Sequence, residues 1–192
     1  MKDITVHKGG QDSTECLLDS LQSKYPNTDL SLHAREIKEI HSFAALNPQQ
    51  ETVAETANLL LRRTYELPSK LSIDIIHERA LCIEPIFGSI KSGKCTLAKF
   101  IKQLIQYFPE FSNQLAANII LCGSPTECKN FNYRLLSELY KCKAAKVVRV
   151  YCPPQRPYLS WVGASAIYFD DDYVDVGVSL GEYKSKNVRN EQ

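Results

Sequence analysis

A glycine that ends an apolar run and a serine that opens a helical pattern sit together at Gly123-Ser124. In an open α/β sheet such a turn lies at the carboxyl edge of a strand, where these proteins bind small molecules. Other reactive side chains are dispersed. The seven cysteines, Cys16, Cys82, Cys95, Cys122, Cys128, Cys142 and Cys152, form no C-x-x-C pair, so neither a disulfide frame nor a zinc site is indicated. Reduced, mostly buried thiols are expected, with Cys122 the least reactive because it continues a buried strand. His7, His33, His41 and His77 lack the paired spacing of metal ligands, and no G-x-S-x-G nucleophile motif occurs. Asp170-Asp171-Asp172 reads as a solvated run, because consecutive carboxylates at one helix end point in different directions. Helix capping alone accounts for Ser124 and Glu127, and a solvated helix face accounts for Lys38 and Glu39.

The turn needs elements to hold it. Ile119-Ile120-Leu121 is the short continuous apolar run of a strand buried on both faces, and Gly123 stops it. Ser124, Pro125 and Glu127 together predict a capping box with proline in the first helical turn. The helix to Tyr140 presents Phe131, Leu135, Leu136 and Leu139 on one face, and Val147, Val148 and Val150 form a second strand ended by Pro153-Pro154. The unit is strand, crossover helix, parallel strand.

Ahead of it, Ile4 to His7 reads as a strand end. Asp12 with Glu15 predicts a capped helix bearing Leu17, Leu18 and Leu21, ended at Tyr25-Pro26-Asn27. A second helix is expected over 33–46, with Ile37, Ile40, Phe43 and Ala44 on one side. Residues 49–63 read as an exposed helix or partly ordered loop, and residues 65–79 as a β-hairpin around a proline-serine turn. Thr96 opens a strongly amphipathic helix carrying Leu97, Phe100, Ile101, Leu104, Ile105 and Phe108, followed by a short helix over 110–117. A helix is expected over 158–169, where Gly163, Ala164 and Ser165 would allow close approach, then an irregular tail frayed after Lys184.

The 192 residues, 44% hydrophobic and 23% charged, are enough for a globular core. A net charge of +1 supplies no field for nucleic acid or an acidic membrane. No apolar run reaches the roughly 20 residues that span a bilayer, and Met1 to Lys8 has no signal-peptide core, so cytoplasm or nucleus is the expected location.

Asn118-Ile-Ile-Leu-Cys-Gly-Ser124, Arg134-Leu-Leu-Ser-Glu138 and the run Pro153 to Ser165 resemble the C-terminal half of actin and the actin-related proteins. The likeness extends forward to Gly181-Glu-Tyr183 and back through Tyr65-Glu-Leu-Pro68 and Arg35-Glu-Ile-Lys-Glu39 to Gly9-Gly-Gln-Asp12. Ala34 to Glu39, Asn47-Pro-Gln49 and Arg134 to Glu138 are similar to the centractin subfamily, the filament-forming actin-related subunit of dynactin, more than to conventional actin.

The resemblance implies a partial actin-like ATPase (ribonuclease H-like) α/β fold, an incomplete mixed sheet flanked by helices. It divides into a mainly helical outer lobe with a hairpin (1–91), an α/β inner lobe (92–160), and a C-terminal helix and tail (161–192). Family members grip ATP phosphates with two hairpins that precede, in family sequence, the part matched here. By resemblance Lys38 and Glu39 match the pair facing base and ribose, and Gly123 matches the first of two glycines. The second is Ser124, followed by Pro125, and Pro157 stands where the family usually has lysine. These departures, with the carboxylate of Glu127 near a helix start, imply a vestigial nucleotide site, no catalytic residue and no metal.

The expected function is therefore a non-catalytic, scaffolding actin-related protein of a cytoskeletal, actin-like or dynactin-like assembly. Its expected partners are other actin-family or cytoskeletal subunits, without direct nucleic-acid or membrane contact. Residues 49–63 and the hairpin are the expected partner-facing parts. No cofactor is expected for this chain alone, with ATP or ADP bound only if an N-terminal half completes the site. That completed ATPase half is one alternative, and a nuclear chromatin-remodelling subunit is another. Strands expected ahead of residue 1 would leave the sheet with an unpaired edge, pointing to a fragment, a chain that docks on another subunit, or a degenerate relative with a repaired core.

Overall fold

The computed structural model describes residues 8–48, 62–88, 96–169 and 178–188. The expected strand at Ile4 to His7, the segment 49–61, Cys95 and Asp170 to Asp172 lie outside them. The chain divides into two compact units, Met1–Pro157 and Tyr158–Gln192.

The first unit opens with α1, Gly10–Lys24, which buries Leu17 and Leu21. Its cap differs from the expected pairing of Asp12 with Glu15. Gly9 is the cap, its N–H donates to Asp12 Oδ2 at 2.8 Å, and Glu15 instead accepts from the Gln11 amide. Helix α2 covers only Ala34–His41. It stops short of the expected Leu46 because Phe43 forms a parallel bridge with Lys129 and the Ala44 N–H donates to the Lys129 carbonyl at 2.8 Å. Ile37 is buried while Ile40 faces solvent.

Strands β1, Arg63–Glu66, and β2, Ser72–Ile75, form the expected antiparallel hairpin, with Tyr65 opposite Ile73. Ile73 and Ile75 alternate inward, as a half-buried strand requires. Leu67 N–H donates to the Leu71 carbonyl, and Lys70 adopts a left-handed φ of 63° in the turn. The strands end at Ile75. The sequence after it forms two helical turns, α3, Glu78–Leu81, and α4, Glu84–Phe87, closed by left-handed Gly88.

Helix α5, Thr96–Tyr107, buries Ala98 and Ile105, and a 3-10 turn leads to α6, Ser112–Ala117. Strand β3, Ile119–Ile120, pairs in parallel with β4, Val150–Tyr151, and between them lies α7, Phe131–Lys141. The strand, helix, strand order is as the sequence predicts. Its environment is not, because Leu121 and Val148 face the core while Ile120 is 61% exposed. One face of the pair is open, so Cys122 is exposed rather than buried. The capping box is also absent. Ser124–Glu127 is a 3-10 turn, held by the Thr126 N–H and hydroxyl on the Gly123 carbonyl. The α-helix starts only after left-handed Asn130, because Lys129 is engaged by Phe43 and Ala44.

One core unites Leu17, Ile37, Ile73 and Phe87 with Ile105, Leu135 and Leu139. It thus draws on both stretches expected as separate lobes, 1–91 and 92–160. Arg134, 2% exposed, crosses it. Its guanidinium bonds both Glu84 oxygens at 2.9 and 3.3 Å, donates from Nε to Glu138 at 3.0 Å, reaches the Ala45 carbonyl, and stacks on Phe87.

The second unit contains α8, Leu159–Tyr168, and α9, Leu180–Val188. No residue of α8 is buried, and nothing lies within 4 Å of a Cβ built on Gly163, so no close approach occurs there among the described residues. Helix α9 replaces the expected irregular tail. Ser179 and Glu182 form a capping box, Ser179 N–H donating to Glu182 Oε2 at 2.9 Å and Glu182 N–H to the Ser179 hydroxyl at 3.3 Å. Among the described residues no helix is long and apolar enough to cross a membrane.

Candidate functional site

The N-terminal turns of α1, one face of α2 and the turn after β3 surround a cleft of about 340 Å³. Gly10, Gln11 and Thr14 come from α1, and Arg35, Lys38 and Glu39 from α2. Ser124 and Pro125 complete the lining. The structure therefore brings Lys38, Glu39 and Ser124 to one place.

Gly123 contributes differently. Its φ of 89° and ψ of 146° lie in a region that only glycine readily adopts, and its N–H donates to the Arg156 carbonyl at 2.8 Å. It aims Ser124 at the cleft without lining it. Pro125 packs over Gly10, where an added Cβ would come within 3.2 Å of the proline Cγ. That contact closes α1 against the turn.

Lys38 is half-buried and turned back on the protein. Its Nζ donates to the Gly10 carbonyl at 2.9 Å and to Thr14 Oγ1 at 2.8 Å. Burial pulls its pKa below the ordinary lysine value, against the opposing charge of Glu39. Glu39 itself accepts from Arg35 Nε at 2.9 Å, so these two charges offset one another at the rim. Of the three donors on an ammonium, Lys38 retains one beyond its two protein partners. The described lining offers a triphosphate no second cation free of a carboxylate, since Arg35 is bonded to Glu39. The sequence holds one Asp-x-Gly triplet, Asp175-Val176-Gly177, outside the described residues.

Sequence reasoning passed over Gly10, Gln11, Thr14 and Arg35. The signal existed for some of them, because Gly9 to Asp12 and Arg35 to Glu39 are runs that carry the resemblance. The Thr14 contact had no such signal, since it depends on how α1 lies against α2.

Elsewhere, the Tyr65 hydroxyl donates to Glu36 Oε2 at 2.7 Å, and the ring centroids of His33 and His41 lie 6.1 and 6.4 Å from the centroid of the Tyr65 ring. Among the described residues no three His, Cys, Asp or Glu side chains are grouped to hold a metal ion. Burial raises the thiol of Cys82 far above its ordinary value and pushes that of Cys128 up to about 11. A family model described as Actin matches residues 1–189.

Proposed function

Because the chain belongs to the actin family, with an actin-like α/β fold, we propose that it is a non-catalytic member acting through protein contacts. In this reading it corresponds to the C-terminal half of the fold, nearest centractin, and serves as a scaffolding subunit of a cytoskeletal, actin-like or dynactin-like assembly in the cytoplasm. Its partners are other actin-family or cytoskeletal subunits, and it binds neither nucleic acid nor membrane. The observation that carries the reading is the placement of Lys38. The amine is bound to Gly10 and Thr14 of its own chain, and Arg35 is bound to Glu39. What remains is a vestigial nucleotide site of Lys38, Glu39, Gly123 and Ser124, with no cofactor of its own.

The hairpin β1–β2, whose Leu71 is exposed at the turn, is the proposed contact surface. Purified chain should hydrolyse ATP no faster than a blank, and isothermal titration should give no magnesium-dependent heat of ATP binding. Tight capture of ATP by the 192-residue chain would defeat the proposal.

A second reading has one observation in its favour, the convergence of Lys38, Glu39 and Ser124 on one cleft. In it the chain is an ATPase half that gains affinity when an actin-family N-terminal half is supplied. Titrating ATP with and without that half separates the two, since the scaffolding reading expects no gain.

A further inference from the structure

We propose that Lys38 is a covalent modification site, the amine of this chain that condenses with small uncharged aldehydes to form an imine. The inference does not depend on the scaffolding role, and either can fail alone.

The described lysines differ in what holds them, and Lys102, which donates to the Cys142 carbonyl at 2.8 Å, does not line the cleft. Lys8 is paired with Asp12, Lys24 with Glu78 and Lys141 with Glu138, each within 3.2 Å. A carboxylate partner favours the ammonium, which has no lone pair with which to attack a carbonyl. Lys38 has no carboxylate in ion-pair contact among the described residues. Its two partners, the Gly10 carbonyl and the Thr14 hydroxyl, are neutral oxygens that accept from an amine as well as from an ammonium.

The charged and titratable groups around it are few. Arg35 and Glu39 on α2 are bonded to each other, while Cys82, beside α3, and Cys128, before α7, are thiols whose burial keeps them protonated. Desolvation therefore prevails, and Lys38 holds more free amine at neutral pH than an ordinary lysine. Unlike a lysine buried in a core, it lines an open cleft of about 340 Å³, room for a small molecule. Because Arg35 and Glu39 offset one another there, the cleft selects for no charge. Ser124 and Gln11, also in the lining, carry groups that can donate to a carbonyl oxygen.

The chemistry balances without a redox partner. The amine lone pair attacks the carbonyl carbon, and a proton moves from nitrogen to oxygen to give the carbinolamine. Loss of one water then leaves the C=N bond, so amine plus aldehyde give imine plus water.

The full chain would be treated with limiting propanal and sodium cyanoborohydride across pH 6 to 10, and each lysine's alkylation read by peptide mass spectrometry. Lys38 is expected to react faster at neutral pH than Lys24, Lys141 and exposed Lys129, because burial lowers its pKa. Its rate should also plateau at lower pH than theirs. The preference should vanish in urea, and Lys38→Arg should remove the fast site while leaving the other rates unchanged. Reaction of Lys38 at the rate of exposed lysines, or along the same pH curve, would overturn the proposal.

Discussion

Single side chains here are governed by what replaces water around them. Glu78 is buried, and burial alone would raise its pKa. The Ile76 N–H at 2.7 Å and the nearby charges of His77 and Lys24 outweigh burial and hold it below the usual value. A folded-state pKa depressed below the unfolded one gives stability that is present above the unfolded value, 4.5 for glutamate, and lost as pH falls through the folded one. Unfolding followed by fluorescence should therefore show stability dropping below about pH 4.5. Glu78→Gln should flatten that acid limb and cost about 1–3 kcal/mol at pH 7, as expected for losing hydrogen bonds to a buried charge. Gly123 shows the backbone counterpart. Its Cβ space is nearly empty, the nearest atom lying 3.9 Å away, so Gly123→Ala should cost about 1–3 kcal/mol from conformation alone. A chemical-denaturation midpoint equal to wild type would contradict that.

At the level of elements, periodicity carried the reading where neighbours do not interfere. Helix α5 and the hairpin β1–β2 formed as their apolar spacing predicts, because each presents one consistent face to a core. The misplaced bounds of α2 and α7 share a cause. Phe43 and Lys129 are far apart in sequence, and their bridge both ends α2 early and delays α7 to Phe131. Local capping signals at Ser124 and Glu127 lost to that tertiary pairing. The cleft shows the same division, for Lys38, Glu39 and Ser124 were readable from resemblance, whereas the donation of Lys38 to Gly10 and Thr14 was not. Ser179-x-x-Glu182 is the reverse case, a legible capping box overlooked in a polar tail. Ser179→Ala in a peptide spanning 176–192 should lower its helical circular dichroism, whereas unchanged ellipticity would mean that the box does not nucleate α9.

For the molecule as a whole, Arg134 is the tie between distant parts of the first unit. It joins α7 to α4 through Glu84 and to the segment after α2 through Ala45. Arg134→Met leaves Glu84 buried without its guanidinium, so a loss of about 3–5 kcal/mol is expected, with the unit unfolding in one transition at a lower midpoint. Two separated transitions would show that the stretches fold independently. The β3–β4 pair has a different consequence. Ile120 and Tyr151 stand side by side on its open face, and the alternation of a parallel ladder turns the N–H and C=O groups of Ile120 and Val150 outward. Such a ribbon is adhesive in proportion to how often molecules collide. Turbidity of stored protein should thus climb steeply with concentration, and Ile120→Lys should keep the solution clear.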